Sequence, residues 1–455
     1  MNLAELLRST EGKTLEFKRD LSSPERALRS LVAFANSAGG VLLFGVEDKT
    51  RRVRGVPNVL AEEERLASLV SDSIAPRILP EIEILPWRRT HVLGIQVHAG
   101  PNPPYCLKSL GSDAGVFVRV GSTNRRADRE TVEGLRRVAA NQSFDELPRP
   151  DLDSEAIDFR AASESFAPVR ALRRADLRTL HLTARYQGRE VPTNGGLLLF
   201  GTERLLHFPD AWVQTARFAG VDRKRIADSL AIRAPLIQAV EEAITFVQKH
   251  TVREVVIGDV RRAERWTVPP AAIREAIVNA VVHADYSRRG TPIQVALFDD
   301  RLELQNPGLL PLGITVDDIR RGVSKLRNHV IGRVFHELGL IEQWGSGVQR
   351  MIAECHEAGL DEPSFEEIGT HFRVTLPALR RNARGASPKD RNILDALAEE
   401  GGLSTAQVAA RIGLSSRGTR TRLAVLVDRG LVAEIGSGPH DPRRRYALVH
   451  DGAGE

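Results

Sequence analysis

One stretch decides the fold of this chain: Arg274-Glu275-Ala276-Ile277-Val278-Asn279-Ala280-Val281-Val282-His283-Ala284-Asp285-Tyr286. At 3.6 residues per turn, Glu275, Asn279 and His283 lie on one narrow face of a helix. The opposite side is apolar and would be buried; it consists of Ile273, Ile277, Ala280, Val281 and Ala284. A row of carboxylate, amide and imidazole groups can present oxygen and nitrogen ligands to a bound ion. The alternative is an ordinary surface helix with a solvated polar face, since this spacing also arises by chance.

The residues that follow this helix form an ordered series of short elements. A hairpin is predicted from Ile293–Leu297 and Arg301–Gln305, which flank an Asp299-Asp300 turn. A tight turn is predicted at Asn306-Pro307-Gly308, and Gly345-Ser346-Gly347 opens what reads as another helix.

This series resembles the ATP-binding module of the GHKL superfamily, which includes gyrase, a heat-shock chaperone, histidine kinases and MutL. The divergent form in bacterial Schlafen-like regulators is the most similar. The resemblance implies a GHKL-like α/β sandwich that binds ATP with Mg²⁺. Asn279 would be the Mg²⁺ ligand and Glu275 would activate water if the nucleotide is hydrolysed.

The resemblance also implies which other residues contact the nucleotide. Gly345 and Gly347 would lie near the phosphates, and His283 would share the face of Asn279. Asn306 and Gly308 stand where the superfamily has its adenine-reading Asp-x-Gly-x-Gly, so an amide replaces the adenine-pairing carboxylate. Nucleotide binding is therefore expected, with altered base selectivity, and hydrolysis is left open.

Composition sets the outer limits of the prediction. A length of 455 residues corresponds to about three domains, and an apolar fraction of 42% is enough for well-packed cores. No window reaches the 18 or so apolar residues of a membrane helix, and the acidic start Met1–Glu5 lacks a signal-peptide core. Cys106 and Cys355 form no Cys-x-x-Cys pair, which favours a cytoplasmic location and argues against a cysteine-built zinc site. The net charge of +5 alone decides nothing.

Residues 1–140 are predicted to form one α/β domain. A helix at 28–37 is followed by a Gly39-Gly40 break and a buried strand at 41–46. The remaining predicted elements are strands at 81–85, 92–97 and 116–120 and a closing helix at 129–140.

This segment resembles the Schlafen AlbA_2 domain, a domain associated with DNA binding. Three runs carry the resemblance, Leu15-Glu16-Phe17-Lys18, Ala33-Phe34-Ala35-Asn36-Ser37-Ala38-Gly39-Gly40 and Phe44-Gly45-Val46-Glu47-Asp48, and it extends through Arg119–Asn124.

The same resemblance places three carboxylates, Glu11, Glu16 and Asp48, at positions of the nuclease residues of animal Schlafens. Clustered carboxylates can hold Mg²⁺ or Mn²⁺ for phosphodiester cleavage, and Lys18 would lie on the strand face of Glu16 and could steady the phosphate. The alternative is a surface ion pair between Glu16 and Lys18, with Glu11 as a cap.

The middle of the chain gives weaker signals. Residues 141–254 read as a linker or wrapping segment followed by an intermediate α/β segment. Within it we predict a helix at 169–187, a strand at 197–201 that pairs with a strand at 212–218, and a helix at 232–250. The ATPase-like domain is predicted at 255–379, with a last strand at 372–376, and residues 380–389 are predicted to be a hinge.

Residues 390–455 are predicted to form a winged helix-turn-helix. A helix at 391–400 is followed by a second helix that Ser404 and Gln407 open with capping-box spacing and Gly413 ends. A third helix, from about 415 to 429, would read double-stranded DNA, and strands at 431–435 and 445–449 would form the wing. Two arginine clusters would contact DNA, namely Arg417, Arg420 and Arg422 on the third helix and Arg443, Arg444 and Arg445 on the wing. The alternative is a winged helix used for protein contact.

These features together favour a cytoplasmic DNA-binding transcriptional regulator that senses nucleotide and forms a homo-oligomer. Two other classes compete with this interpretation. One is a metal-dependent nuclease of RNA or DNA that acts in phage defence, and the other is a scaffold with an inactive nucleotide site.

Overall fold

A computed structural model describes residues 1–251, 253–257, 262–341, 345–378, 388–400, 402–428, 431–436 and 444–448. The predicted hinge at 380–389 falls outside these residues except for its last two positions, which open a helix. Among the described residues, no helix is both long enough and apolar enough to cross a membrane.

The N-terminal domain is a four-stranded sheet covered by helices. Its helices are α1 (Leu3–Arg8), α2 (Pro24–Ala35), α3 (Val59–Ser73), α4 (Gly111–Ala114) and α5 (Arg129–Ala139). Its strands are β1 (Leu15–Lys18), β2 (Gly40–Phe44), β3 (Ile74–Ala75), β4 (Glu81–Trp87), β5 (Thr90–Val97), β6 (Cys106–Leu107), β7 (Phe117–Val120) and β8 (Thr123–Arg126). The main sheet has the order β1-β2-β5-β4, with β1 parallel to β2 and the other pairs antiparallel.

The glycine directly before β2, Gly39, is required by a close backbone approach. Gly39 has φ of +78°, and a Cβ there would lie 2.7 Å from the carbonyl oxygen of Val97. A side chain at this position would collide with the sheet, so the chain turns from α2 into β2 only with glycine.

The central domain is a two-layer α/β sandwich. Its helices are α6 (Phe159–Phe166), α7 (Asp176–Thr179), α8 (Asn194–Phe200), α9 (Arg204–His207), α10 (Leu236–His250), α11 (Pro270–His283), α12 (Val316–Arg320), α13 (His329–Glu337) and α14 (Gly347–Glu357). Its strands are β9 (Thr183–Tyr186), β10 (Arg189–Pro192), β11 (Val213–Phe218), β12 (Ile226–Ile232), β13 (Arg253–Ile257), β14 (Arg262–Trp266), β15 (Ile293–Leu297), β16 (Arg301–Pro307), β17 (Ser364–Ile368) and β18 (His371–Pro377).

Six of these strands form one sheet in the order β12-β11-β15-β16-β18-β17. Only β11 and β15 are parallel, and the predicted hairpin is confirmed as the antiparallel pair of β15 and β16. Helices α10, α11 and α14 pack side by side over this sheet around one apolar core. Because β11 and β12 precede residue 255, the sheet crosses the predicted domain boundary at that position.

Two predicted elements of the middle segment are wrong. The predicted strand at 197–201 is instead helix α8, which Thr193 caps by accepting a hydrogen bond from Gly196 N at 3.0 Å. Every residue of α8 is buried, so the run shows no helical periodicity and a short apolar run cannot be distinguished from a strand. The strand at 213–218 therefore pairs with β12 and β15 instead.

The predicted helix at 169–187 is replaced by a loop, the short helix α7 and a hairpin. Gln187 and Gly188 both have positive φ, +48° and +82°, and join β9 to β10 as a two-residue turn. Such a turn matches the twist of paired strands, so the chain reverses where a continuous helix was expected.

The acidic segment after residue 140 wraps onto the central domain. Asp145 is fully buried and accepts hydrogen bonds from the backbone N–H groups of His329, Val330 and Ile331 at 3.0, 2.7 and 2.9 Å. It thereby caps α13 from a distant part of the chain.

The C-terminal domain is a winged helix. Its elements are helices α15 (Pro388–Glu400), α16 (Thr405–Ile412) and α17 (Ser416–Asp428) and strands β19 (Val432–Ile435) and β20 (Arg445–Leu448). The predicted capping box of Ser404 and Gln407 is confirmed, and Gly413, predicted to end this helix, is its C-cap in the left-handed conformation. Leu403, Val408, Leu423 and Leu426 are among the residues of its small core.

Candidate functional site

Helix α11 holds the predicted polar row at the centre of the sandwich. Its apolar residues, including Ile273, Ile277 and Val281, are almost fully buried against α10, α14 and the sheet. The helix ends at His283 because the side-chain amide of Asn328 donates hydrogen bonds to the carbonyls of Val282 and Ala284, each at 2.8 Å. Packing along α11 and the Asn328 hydrogen bonds at its end therefore fix the position of the polar row.

Glu275 and Asn279 act as a hydrogen-bonded pair. The Asn279 amide nitrogen Nδ2 donates to Glu275 Oε1 at 2.9 Å, and both side chains are half-buried. This bond fixes the orientation of the amide, so its carbonyl oxygen is the atom left to bind a cation.

The start of helix α14 approaches this pair closely. A Cβ at Gly347 would lie 1.8 Å from Glu275 Oε1 and 3.3 Å from Asn279 Nδ2, so a side chain at the first residue of α14 would displace the Glu275 carboxylate. Gly345 has φ of +68°, and a Cβ there would lie 2.9 Å from the carbonyl oxygen of Gly322. Both glycines therefore bring the N-terminal end of α14 next to the carboxylate and the amide.

A cavity of about 150 Å³ joins the predicted residues. It is lined by Glu275, Asn279, His283, Asn306, Gly345 and Gly347. Its other side is apolar and includes Ile314, Phe365, Phe372 and Val374. Small-molecule sites usually enclose about 300–1,000 Å³, so a whole nucleotide fits only if the cavity wall opens.

The Asn306-Pro307-Gly308 segment differs from its prediction. Asn306 and Pro307 belong to β16 and pair with Phe372 and His371, so the chain turns only at Gly308. Gly308 does not line the cavity; its Cα faces Asp285, where a Cβ would lie 2.7 Å from the Asp285 Cβ. Asn306 is buried and does line the cavity, and its amide donates to the Pro307 carbonyl at 3.3 Å.

The prediction missed the polar residues that the loop before α13 adds to the cavity. Ser324, Lys325 and Arg327 line it, together with Arg350 from α14. The signal in the sequence was the basic run Lys325-Leu326-Arg327-Asn328-His329, which matched no motif with a known mechanism.

Charges around the end of α11 are strongly coupled. Burial, together with the nearby Arg327 guanidinium, lowers the pKa of His283 to about 4, so this imidazole is neutral at pH 7. Burial by itself would raise the pKa of Asp285, but the positive charges of Arg327, Arg288 and Arg137 outweigh it and lower that pKa. Asp285 is therefore ionised and partly neutralises an arginine-rich region.

This set of groups fits Mg²⁺ and nucleotide phosphates. Mg²⁺ prefers oxygen ligands, keeps several waters and needs only one or two protein ligands beside phosphate oxygens, a role that the Asn279 amide can fill. The backbone N–H groups at the N-terminus of an 11-residue helix favour anions. The site thus offers a cation ligand and an anion-binding helix end side by side.

The N-terminal carboxylates form a different arrangement. Glu16 is 6% exposed, and its carboxylate makes ion pairs with Arg119 and Lys18 and accepts a hydrogen bond from Ser30 Oγ at 3.0 Å. Arg119 is itself buried and donates to the Gly12 carbonyl at 3.0 Å and to Asn124 Oδ1 at 2.8 Å. The Glu16 charge is thus already compensated by two cations.

Glu11 lies beside Asp48. Burial raises the pKa of Glu11, and a hydrogen bond with Asp48 and the charges of Asp48 and Glu16 raise it further, against the lowering effect of the Phe17 N–H. Glu11 Oε1 accepts that N–H at 2.6 Å, which is a cap-like role. Within the part of the chain that the structure describes, no three or more His, Cys, Asp or Glu side chains are arranged to hold a metal ion.

The arginines of helix α17 do not all face the same way. Arg417 and Arg420 are exposed and lie one turn apart. Arg422 is only partly exposed and donates to Asp390 Oδ1 of α15 at 2.7 Å, so it does not share the exposed face of Arg417 and Arg420. Five residues of helix turn Arg422 about 140° away from Arg417, towards the side that packs on α15.

The wing arginines are also engaged within the domain. Arg444 pairs with Glu434 and lies 5.5 Å from the centroid of the Tyr446 ring, and Arg445 donates to the Gly402 carbonyl at 3.2 Å. Arg445 nevertheless remains exposed. Arg443 lies outside the described residues.

Three segments of the chain match known protein families. Residues 11–128 match "Schlafen, AlbA_2", residues 290–376 match "Putative ATP-dependent DNA helicase recG C-terminal", and residues 387–433 match "Winged helix-turn-helix DNA-binding". The second match includes Asn306, Gly308, Gly345 and Gly347 but begins after helix α11.

Two solved structures are also similar to the chain. The DIP2311 protein from Corynebacterium diphtheriae is 20% identical over 98% of this chain and 96% of that one, with a TM-score of 0.44. The N-terminal domain of a putative ATP-dependent DNA helicase RecG-related protein from Nitrosomonas europaea is 25% identical over 28% of this chain and 90% of that one, with a TM-score of 0.23.

The order of the three family matches is the order that the sequence predicted. The chain therefore carries a Schlafen AlbA_2 domain, an ATPase-like domain of the RecG C-terminal type and a DNA-binding winged helix.

Proposed function

We propose that this protein is a DNA-binding transcriptional regulator whose ATPase-like domain senses ATP together with Mg²⁺. One observation carries the proposal: the Asn279 amide, the Glu275 carboxylate and the N-terminal end of α14 all face one cavity. The winged helix supplies the DNA-binding part, and an ATPase-like domain joined to it supplies the part that responds to nucleotide.

Each polar residue of the cavity has a separate task in this proposal. Asn279 binds Mg²⁺ through its carbonyl oxygen, and Glu275 keeps the amide in that orientation. The backbone N–H groups at the start of α14 hold phosphate oxygens, and Lys325 at the cavity wall adds a positive charge. Mg²⁺ held by Asn279 would supply positive charge that offsets the negative charge of the phosphates.

Asn306 bears on which base is bound. An amide both donates and accepts hydrogen bonds, whereas a carboxylate only accepts. Since Asn306 is buried at the cavity wall, we expect weaker preference for adenine than a carboxylate would give.

The DNA contact is assigned to the exposed face of α17. Arg417 and Arg420 lie on that face, and Arg445 is exposed on the wing. Winged-helix readers commonly bind paired half-sites, so we expect the regulator to act as a homo-oligomer on double-stranded DNA. A cytoplasmic location follows from the same proposal and agrees with the free, buried cysteines Cys106 and Cys355.

A nuclease function has less support from the geometry. Metal-dependent cleavage needs carboxylates free to bind the ion, and Glu16 is instead compensated by Arg119 and Lys18. The buried pair of Glu16 and Arg119 serves to join β1 to β7, which is a structural role.

Replacing Asn279 tests the nucleotide site directly. Asn279→Ala should abolish stabilisation by Mg²⁺ and ATP, which for the wild type amounts to about 2.7 kcal/mol at a hundredfold excess over Kd. The unliganded variant should still fold, since Asn279 lies on the polar face of α11. Thermal melting with and without Mg²⁺ and ATP measures both quantities.

Arg274→Gln is the matched control, because Arg274 is on the same helix but does not line the cavity. We expect it to keep the full nucleotide response. A wild-type protein that shows no melting shift with ATP, ADP or GTP would contradict nucleotide sensing. An Asn279→Ala variant with an undiminished shift would show that the nucleotide binds elsewhere.

A further inference from the structure

A second, larger cavity lies between the AlbA_2 domain and the ATPase-like domain. Its volume is about 580 Å³, within the range of small-molecule sites. One wall comes from β7, β8 and α5, and the other from the loop around Asp285 and from residues 309–312 and 325–329. The site is thus complete only when both domains are present.

Positive charge is in excess in this cavity. Eight Lys and Arg side chains line it but only three carboxylates do. Two of the eight are compensated from outside the lining, since Arg119 pairs with Glu16 and Lys13 pairs with Glu367 at 2.6 Å. The lining therefore has six other positive side chains and only the three carboxylates of Asp128, Glu130 and Asp285, so a net positive charge remains.

Three guanidinium groups form the centre of this charge. Arg137 and Arg288 reach it from the two domains, and Arg327 joins them on the lining, 3.8 Å from Asp285 Oδ2. Burial lowers the pKa of Arg327, Asp285 partly offsets this, and the like charges of Arg288 and Arg137 lower it further. Like charges that repel one another in a partly enclosed space are stabilised by an anion.

One of these guanidinium groups also retains a donor without a protein partner among the described residues. The buried Nε of Arg327 has no hydrogen-bond partner there, whereas Arg288 Nε lies 3.3 Å from Asp285 Oδ2 in an ion pair. Arg288 spends its other nitrogens on Asp128 at 3.3 Å and Thr131 at 2.8 Å, across the domain boundary. Planar guanidinium groups with spare N–H donors suit phosphate oxygens.

We propose that this cavity is a binding site for a small phosphorylated molecule, which Arg137, Arg288 and Arg327 hold by its phosphate groups between the two domains. The proposal does not rest on the nucleotide site beside Asn279. The two cavities share part of one wall, because Leu309, Lys325 and Arg327 line both. A ligand here would stabilise the contact between the AlbA_2 and ATPase-like domains.

Calorimetric titration of the full-length protein with pyrophosphate, in EDTA without added metal, tests this site. Wild type should give saturable heat, and Arg137→Gln should bind about tenfold more weakly, the loss expected for one charge-assisted hydrogen bond. Arg136→Gln is the matched control; Arg136 is adjacent on α5 but outside the cavity lining, and it should bind as wild type does.

Gly134 offers a second test that does not endanger folding. It is an interior residue of α5 that lines the cavity, and the nearest atom to an added Cβ would be Arg137 Nη2 at 3.6 Å. A side chain here also improves helix propensity. Gly134→Glu should weaken pyrophosphate binding severalfold relative to Gly134→Gln, which has the same size without the charge.

Asn279→Ala distinguishes this site from the nucleotide cavity and should leave pyrophosphate binding in place. Four results would overturn the proposal: no saturable heat with wild type, unchanged affinity in folded Arg137→Gln, equal affinities for the two Gly134 variants, or loss of binding in Asn279→Ala.

Discussion

At the scale of single residues, the polar row on α11 is the most informative feature. Its members are held in different ways, Asn279 by Glu275 and His283 by burial beside Arg327. A neutral imidazole at this position avoids adding a cation next to a guanidinium. Because the folded protein keeps His283 neutral, His283 should make the stability of the protein sensitive to acid.

The pKa of His283 gives a prediction of defined sign. A folded pKa of about 4 lies below the ordinary value of 6.5, so the unfolded chain takes up a proton first as the pH falls. The contribution of His283 to the free energy of unfolding is fully present above pH 6.5 and is lost as the pH falls towards 4. The loss is on the order of 3 kcal/mol, at about 1.4 kcal/mol per pH unit. His283→Gln should lose less stability over this range than wild type.

Urea unfolding at pH 7, 5.5 and 4.5 measures this difference. The exposed His336→Gln is the control variant, and it should follow the wild type. Other titrating groups, such as His371, remain in all three proteins and cancel in the comparison. Parallel pH profiles for wild type and His283→Gln would contradict the account of His283.

Residue patterns on a single element were predictable from the sequence, but partners from distant elements were not. Four-residue spacing placed Glu275, Asn279 and His283 on one face, and the structure places all three at one cavity. Arg422 looked equivalent to Arg417 because both precede the apolar part of α17. Its pairing with Asp390 depends on the packing of α15, which local sequence does not contain.

At the scale of secondary-structure elements, periodicity predicted helices and strands best where one face is exposed. Helices α5 and α10 show such patterns, since each has buried and exposed positions along its length. Helix α8 is buried on every side, and its Gly196 lies where a Cβ would be 2.1 Å from the Leu182 carbonyl oxygen. A helix chosen for close packing carries no amphipathic signal, so it was mistaken for a strand.

The exposed arginines of helix α17, Arg417 and Arg420, are expected to contact DNA phosphates. The double variant Arg417→Gln/Arg420→Gln should weaken binding to duplex DNA and reduce the slope of log K against log salt by about 1.8, or about 0.9 for each lost phosphate contact. Fluorescence anisotropy over a series of salt concentrations measures the slope. The double variant Arg185→Gln/Arg189→Gln removes the same charge from the exposed β9–β10 hairpin and should leave the slope unchanged.

A slope that is equal in wild type and in the α17 variant would remove this helix from the DNA interface. The winged helix would then have the alternative role of a protein contact.

At the scale of the whole molecule, the order of domains was predictable and their contacts were not. Lys13 pairs with Glu367 at 2.6 Å, and Gly313 N donates to the Ser37 carbonyl at 2.9 Å. These contacts join residues hundreds of positions apart, beyond the reach of any local pattern. They also place the AlbA_2 domain directly against β17 and the loop that follows β16.

Such contacts allow a ligand in one domain to influence another. If nucleotide bound at Asn279 changes the affinity for DNA, DNA must change the affinity for nucleotide by the same factor. Regulation of DNA binding by nucleotide requires this coupling to be measurable.

The most direct test is the affinity for one mixed-sequence DNA duplex with and without saturating Mg²⁺ and ATP. We expect the nucleotide to change the affinity of wild type by at least about fivefold, the lower end of typical coupling, and to leave that of Asn279→Ala unchanged. Melting shifts in the same buffers establish that the nucleotide is bound. A wild-type protein that binds ATP yet shows the same DNA affinity in both conditions would contradict nucleotide-regulated DNA binding.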